Sequence, residues 1–213
     1  MNIVRFRSVL RTVILSVFLP LAASAEPGDP CCALEAKADY CTDCHGPSGQ
    51  GYLGWFPMPR LAGQQPEYFQ RQLRSFQTRN RENDLAIFMN KVHGLSPGMA
   101  KALAVHFSPL RPDPFGGAPS DIAGIGRRIY EEGVPQADIP ACAACHGPNA
   151  EGKGLNPRLA GQLYTYLVKE LTNWRTERAQ EAPSETVAVM TPIATAMTKR
   201  QIEAVSAYLA SKH

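Results

Sequence analysis

The stretch Cys41-Thr42-Asp43-Cys44-His45 has a counterpart at Cys142-Ala143-Ala144-Cys145-His146, and Gly-Pro follows each copy. Two thiols and an adjacent imidazole at this spacing are typical of covalent haem attachment. The thiols form thioethers with the porphyrin, and the histidine is held where it can ligate the iron. The sequence therefore predicts two covalently bound haem c groups. The predicted thioether positions are Cys41, Cys44, Cys142 and Cys145, and the predicted proximal ligands are His45 and His146.

Other uses of paired cysteines fit this sequence less well. A zinc site needs four thiolate or imidazole ligands around one ion, whereas the two copies lie a domain length apart and each has its own histidine. A redox-active Cys-x-x-Cys pair favours a βαβ context and needs no histidine. A disulfide across so short a loop is strained. Haem attachment accounts for the histidine as well as for the thiols.

The first 25 residues have the pattern of a secretory leader. Arg5, Arg7 and Arg11 form a positively charged region before an apolar stretch at 13–21, and Ala23-Ser24-Ala25 provides a small-residue cleavage site. The apolar stretch is too short for a comfortable membrane span. The sequence predicts cleavage after Ala25 and a mature chain in a bacterial periplasm, either soluble or peripherally associated with a membrane. That compartment tolerates cysteine oxidation.

The leader also accounts for the net positive charge. The whole chain has 22 Lys and Arg against 19 Asp and Glu, and removing the three leader arginines from 22 leaves 19. A balanced mature chain has no global basic field, so its composition does not predict nucleic-acid binding. Docking of redox partner proteins would depend on local surface patches.

The second half of the chain repeats the first. His45-Gly46-Pro47 recurs at 146–148, and Pro59-Arg60-Leu61-Ala62-Gly63-Gln64 recurs without change at 157–162. A repeat in register with the haem motifs indicates duplication. We expect two domains, at 26–108 and 119–213, joined by a Pro- and Gly-rich linker at 109–118.

Helical periodicity predicts an all-α fold with about three helices in each half. The first helices are expected at 33–40 and 121–132, each running into its haem motif. The last helices have recognisable starts at Ser96-Pro97 and Thr198-Lys199-Arg200-Gln201. Strand patterns are absent. The second helices are predicted from apolar residues at helical spacing, which are Phe69, Leu73 and Phe76 and, in the second half, Leu163, Leu167, Leu171 and Trp174.

A methionine late in each half is the candidate for the second axial ligand. A thioether there favours Fe(II), raises the potential and closes the iron to exogenous ligands. Met190 precedes the last helix of the second half and is favoured over Met197, which is interpreted as part of a hydrophobic staple. Met89 occupies the equivalent loop of the first half. Met99 lies inside the last helix and Met58 precedes the repeated six-residue stretch.

The first half offers a second candidate for this position. The stretch from Met89 to Leu95 is one residue shorter than that from Met190 to Met197, and His93 lies within it. A histidine in place of the methionine would lower the potential of that haem. Loop histidines are more often solvated, so Met89 is the predicted ligand and His93 the alternative.

Further residues are candidates for contacts with the haems or their ligands. The carbonyls of Pro59 and Pro157 could accept the second N–H of the proximal imidazoles, which would fix the orientation of each ring. Other side chains could line the haem pockets or contact the propionates, and these are Trp55, Trp174, Tyr164, Tyr166, Arg60 and Arg158. The alternative for the aromatic residues is packing in the core, and the alternative for the arginines is exposure to solvent.

With both haem motifs, both Pro-Arg-Leu-Ala-Gly-Gln stretches and both late methionines, the chain resembles the cytochrome c4 family over about residues 33–211. The resemblance implies two class I cytochrome c domains that face each other across a pseudo-twofold interface, with Met89 and Met190 as distal ligands. The chain departs from the family pattern in the shortened Met89 loop. It also departs at Cys31-Cys32, for which a vicinal disulfide, pairing between chains and free thiols are all open.

The expected function is electron transport rather than catalysis. The chain would accept electrons from a dehydrogenase and pass them to a terminal oxidase or another acceptor, without a small-molecule substrate. One alternative is a haem subunit of an enzyme complex, such as a flavocytochrome sulfide dehydrogenase. The other is a haem catalyst with a labile distal ligand.

Overall fold

The computed structural model describes residues 30–81, 89, 92, 94–178 and 185–213. The predicted leader and His93 lie outside these ranges. Within them the chain is mainly helical and packs around two apolar clusters, one in each half. The all-α class predicted from the sequence is confirmed. Among the described residues, no helix combines the length and the apolar composition that crossing a membrane requires.

The first half contains helices α1 (Pro30–His45), α2 (Pro66–Gln77) and α3 (Pro97–Phe107). Both α2 and α3 begin with proline, whose missing N–H is not needed in the first turn. The predicted cap of α3 is confirmed, because Ser96 Oγ accepts a hydrogen bond from Met99 N at 3.1 Å. The helices enclose the buried residues Ala38, Phe69, Leu73, Ala100, Leu103, Ala104 and Phe107.

The second half has more helices than the three that were predicted. They are α4 (Ala123–Glu132), α5 (Ala143–His146), α6 (Tyr164–Thr172), α7 (Trp174–Glu177), α8 (Glu185–Ala196) and α9 (Lys199–Ala210). The predicted capping box of α9 is present, with Thr198 Oγ1 accepting from Gln201 N and Gln201 Oε1 accepting from Thr198 N. Helices α4 and α9 cross at Gly126, where a Cβ would lie 1.9 Å from Ala204 O. Only glycine permits this approach.

Two local predictions were wrong. In the first half α1 runs through the haem motif, as predicted. In the second half α4 ends at Glu132, which was the predicted end, but it does not run into the haem motif, because Gly133 has a φ of 77° and a loop separates α4 from α5. Met190 was expected in a loop and instead lies in α8, which contains Pro192. The apolar and β-branched residues around Met190 are compatible with either state, so the sequence alone did not distinguish them.

The first half contains a small hairpin where the second half has an isolated bridge between Lys153 and Asn156. Strands β1 (Tyr52–Leu53) and β2 (Pro57–Met58) pair antiparallel, and each is too short to produce an alternating sequence pattern. The hairpin makes the segment between haem motif and repeated stretch longer, since Pro59 comes 14 positions after His45 but Pro157 comes 11 positions after His146.

Residues 109–118 contain neither helix nor strand, as their Pro- and Gly-rich sequence predicts. They are nevertheless tied to the first half. Arg60 Nη2 donates to Pro112 O at 2.6 Å and Arg60 Nη1 donates to Asp113 O at 3.2 Å.

Candidate functional site

Both haem motifs line a single cavity of about 650 Å³ between the two halves. The first motif lies at the end of α1 and the second at α5 and the residue before it. The predicted distal ligands Met89 and Met190 also lie on the cavity wall. The structure therefore brings all eight predicted haem-contacting residues to one cavity, which is within the size range of sites for small molecules and cofactors.

Each predicted proximal histidine is oriented by a proline carbonyl, as expected from the sequence. His45 Nδ1 lies 2.8 Å from Pro59 O, and His146 Nδ1 lies 3.0 Å from Pro157 O. A carbonyl only accepts hydrogen bonds, so Nδ1 carries the proton and Nε2 is free to bind a metal. Burial lowers the pKa of both imidazoles below 6.5, against the opposing effect of these hydrogen bonds. The lowered pKa favours the neutral form of both rings, which is the form that ligates a metal.

The repeated His-Gly-Pro sequence forms the same turn in both halves. Gly51 N donates to His45 O at 2.7 Å, and Gly152 N donates to His146 O at 2.8 Å. Gly46 has a φ of 78°, and a Cβ there would lie 2.4 Å from Gly51 O. The glycine after each histidine is thus required by the turn that closes the motif.

The motif cysteines do not have the properties of a redox-active pair. Such a pair has a nucleophilic thiol of lowered pKa, whereas burial raises the pKa of Cys41 and of Cys142 to about 11. Nor does the described part of the chain contain a group of three or more His, Cys, Asp or Glu side chains arranged to hold a metal ion.

Four methionines reach the cavity wall. Besides Met89 and Met190 these are Met58, from the hairpin, and Met197, which is 9% exposed and belongs to the core of the second half. Met99 packs against the core of the first half, as predicted. The core position of Met197 agrees with its interpretation as a packing residue.

The other candidate pocket residues divide into two groups. Tyr166 and Trp174 line the cavity, whereas Trp55 is 99% exposed at the tip of the hairpin and Tyr164 is not part of the wall. The expectation of solvent exposure is wrong for Arg60, which is 5% exposed because its guanidinium binds backbone carbonyls of residues 62, 112 and 113.

The last residue of each repeated stretch binds the other half. Gln64 Oε1 accepts from Arg158 N at 2.8 Å and its Nε2 donates to Arg158 O at 3.1 Å. Gln162 makes the same two contacts to the backbone of Arg60, at 2.7 and 3.1 Å. The identical sequences of the two stretches mark these glutamines as a repeated feature. A repeat does not by itself show that each glutamine binds the backbone of the other half.

A second set of contacts between the halves was not predicted. Arg81 and Arg178 both donate to Gln72 Oε1, and both bind Glu170. All four side chains are 5–7% exposed and line the cavity. No run of identical residues marks them, since Arg81 and Arg178 follow stretches that differ between the halves.

The cavity wall suits the acidic groups of a haem. Burial is the main cause that lowers the pKa of Arg60 to about 10, and the nearby guanidinium groups of Arg158 and Arg111 add to it. Within the described part of the chain, three buried donors on the wall make no hydrogen bond. They are Gln72 Nε2, Arg81 Nε and Arg158 Nε. Buried donors usually have acceptors, and propionate carboxylates would supply them.

Known proteins with the same combination of features are cytochromes. The cytochrome c family model matches residues 124–212. The chain is 34% identical to cytochrome c4 of Thiocapsa roseopersicina, over 88% of this chain and 95% of that one. It is 34% identical to the thiosulfate dehydrogenase electron acceptor of Thiomonas intermedia, over 84% of this chain and 82% of that one.

A solved structure shows the same likeness. That of Acidithiobacillus ferrooxidans cytochrome c4 superposes with a TM-score of 0.69 at 31% identity, covering 81% of this chain and 99% of that one. The fold and the paired motifs define a di-haem electron-transfer protein with two tandem cytochrome c domains and two covalently bound haem c groups. The chain belongs to the cytochrome c4 family.

Proposed function

We propose that the chain is a periplasmic shuttle that takes single electrons from a dehydrogenase and passes them to a terminal oxidase or another acceptor protein. The observation that carries the proposal is that both haem-attachment motifs line one cavity between the halves. Haem c, when bound, supplies reversible one-electron exchange between Fe(II) and Fe(III). Two such centres in one cavity suit relay of an electron across the molecule.

The roles of individual residues follow from their placement. Cys41, Cys44, Cys142 and Cys145 would hold the porphyrins as thioethers, and His45 and His146 would bind iron through Nε2. Met89 and Met190 would be the distal ligands. Met190 is half-buried in α8 and on the wall, while Met197 is committed to the core. The proposed domains are 26–108 and 119–213, with 109–118 as the linker.

Haem attachment is tested by counting haems in cysteine variants. The intact mass of the periplasmic protein and its alkaline pyridine spectrum should give two haems per chain. Cys41→Ser/Cys44→Ser and Cys142→Ser/Cys145→Ser should each retain one. Cys31→Ser/Cys32→Ser is the matched control and should retain both. A wild-type protein with fewer than two covalent haems would contradict the proposal.

The carrier role is tested against catalysis by ligand access. A six-coordinate carrier should be reduced and reoxidised reversibly, and its reduced form should not bind carbon monoxide at neutral pH. Carbon monoxide binding at either haem would instead indicate an open or labile distal position and favour a haem catalyst.

The predicted leader is tested on the same preparation, because the N-terminal sequence of the periplasmic protein should begin at Glu26.

A more specific donor is suggested by one relative. We propose, as a second step, that a thiosulfate-oxidising dehydrogenase reduces this chain, because a relative of 34% identity over 82% of its length is named a thiosulfate dehydrogenase electron acceptor. A purified dehydrogenase of that activity should reduce both haems when thiosulfate is added. Reduction by a sulfide-oxidising flavoprotein that co-purifies with the chain would favour the subunit alternative, and recovery of a free, reducible monomer would count against it.

A further inference from the structure

A group of mostly buried side chains where the halves meet consists of four pairs, with one member of each pair from each half. This interface cluster contains Tyr68 and Tyr166, Gln72 and Glu170, and Phe76 and Trp174, each pair 98 residues apart like the two Pro-Arg-Leu-Ala-Gly-Gln stretches, together with Arg81 and Arg178, which are 97 residues apart. Three of the pairs are alike in chemistry: two tyrosines, two aromatic rings and two arginines. The exception is Gln72 and Glu170. At this position the first half has an amide and the second half has a carboxylate.

The two guanidinium groups converge on that amide and that carboxylate. Gln72 Oε1 accepts from Arg81 Nη1 at 2.8 Å and from Arg178 Nη1 at 2.6 Å. Glu170 Oε2 accepts from Arg178 Nε at 2.6 Å, and both Glu170 oxygens lie 3.3 Å from Arg81 Nη2. Each guanidinium also lies over the aromatic ring of its own half, 4.5 and 5.5 Å from the ring centroids.

The cluster contains a single negative charge, and it belongs to the second half. Burial alone would raise the pKa of Glu170, but the guanidinium groups of Arg178 and Arg81 outweigh burial and lower it from 4.5 to about 2. Glu170 is therefore ionised at neutral pH. It is 6% exposed, so salt screens its field only weakly.

This charge faces the cavity that contains both haem motifs. A buried negative charge stabilises ferric relative to ferrous iron and so lowers a reduction potential, more strongly the nearer it lies. Positions 72 and 170 correspond through the repeat, and both side chains line the cavity. A carboxylate at one of them alone makes the two haem sites unequal.

We propose that Glu170 biases the distribution of a single electron between the two haems. The inference rests on the proposed function, because it requires one haem in each half. Glu170→Gln gives the second half the amide of the first and removes the bias. Gln72→Glu supplies an opposing carboxylate and also removes it. The exchange Glu170→Gln/Gln72→Glu reverses it.

The test is a spectroelectrochemical titration of each holoprotein, which gives the two potentials and hence the equilibrium constant for electron exchange between the haems. Glu170→Gln should change this constant by about tenfold, which is about 59 mV for a one-electron couple. Gln72→Glu should change it in the same direction. The exchange variant should move it about twice as far on a logarithmic scale. Gln72→Glu leaves the buried arginines compensated, so it provides the measurement even where Glu170→Gln folds poorly.

Glu131→Gln is the matched control. It removes the same charge from an exposed pair with Arg127, whose side chains are 40% and 65% exposed, and should leave the constant unchanged. This inference would be overturned if the equilibrium constant for electron exchange were the same in wild type, Glu170→Gln and the exchange variant. The proposed function would remain intact in that case, provided that each protein contains two haems. A wild-type protein without two haems would overturn both.

Discussion

Gln162 of the second half holds the backbone of Arg60 in the first half with both ends of its amide. Its Oε1 accepts from Arg60 N at 2.7 Å and its Nε2 donates to Arg60 O at 3.1 Å. Arg60 directly follows Pro59, whose carbonyl fixes the imidazole of His45. The amide therefore connects the second half to the residue next to Pro59, whose carbonyl orients the proposed proximal ligand His45. Gln64 makes the reciprocal connection through Arg158.

Gln162→Ala should destabilise the holoprotein by about 1–3 kcal/mol, because it leaves the buried N–H of Arg60 without its acceptor. Urea unfolding followed through the haem spectrum measures the free energy. Gln70→Ala is the control, since Gln70 Nε2 binds only Pro66 O within its own helix, and its effect should stay within about 0.5 kcal/mol. A Gln162→Ala cost no larger than that of Gln70→Ala would show that the crossing amides contribute nothing.

The roles of Met190 and Met197 can be distinguished by the haem spectrum and the unfolding free energy of their alanine variants. Met190→Ala should remove the methionine-to-iron charge-transfer band of one haem, because a proposed iron ligand is lost. Met197→Ala should keep both bands and cost about 2–5 kcal/mol, because Met197 is 9% exposed in the core. The opposite pattern would assign Met197 as the ligand.

The same measurement decides the first half. Met89→Ala should remove the other charge-transfer band, whereas His93→Ala should leave both bands unchanged. A shift of one haem spectrum on His93→Ala alone would make His93 the distal ligand in that half.

The sequence predicted those parts of the molecule that depend on local chemistry. Two kinds of local feature were predicted correctly. Residue spacing at the start of the last helices predicted the caps at Ser96 and Thr198, and the repeated stretches pointed to the carbonyls of Pro59 and Pro157. Helix α8 was missed because the apolar and β-branched residues around Met190 do not distinguish a helix from other states, and because Pro192 disfavours an uninterrupted helix.

Contacts between the halves were beyond the reach of sequence patterns. Gln72 and Glu170 lie in α2 and α6 like ordinary polar residues, and only the docking of one half on the other buries them. The burial of Arg60 likewise depends on residues 112 and 113 of the linker folding back over it. The spacing of residues in a sequence indicates which side chains are neighbours on one helix. It does not indicate which helix faces of the two halves contact each other.

The buried Glu170 should give the stability of the protein a defined pH dependence. Its pKa in the fold is about 2, below the value near 4.5 that it regains on unfolding. As the pH falls, the unfolded chain binds this proton first, so the contribution of Glu170 is present above about pH 4.5 and is lost towards pH 2. The difference in unfolding free energy between wild type and Glu170→Gln should therefore shrink from pH 7 to pH 3. For Glu131→Gln it should stay small throughout. A difference for Glu170→Gln that does not change with pH would refute this role for its carboxylate.

Gly63→Ala should destabilise the junction between the halves. Gly63 has a φ of 77°, which costs an alanine about 1–2 kcal/mol. Its new Cβ would also lie 3.2 Å from Arg158 Cδ and Nε, across the interface. Gly117→Ala is the control, because no atom lies within 4 Å of its built Cβ and its backbone is not left-handed. Restricting the unfolded chain should leave that variant neutral or about 0.4–1 kcal/mol more stable. Urea unfolding of both holoproteins distinguishes the cases, and a Gly63→Ala variant as stable as Gly117→Ala would contradict both the backbone strain and the contact with Arg158.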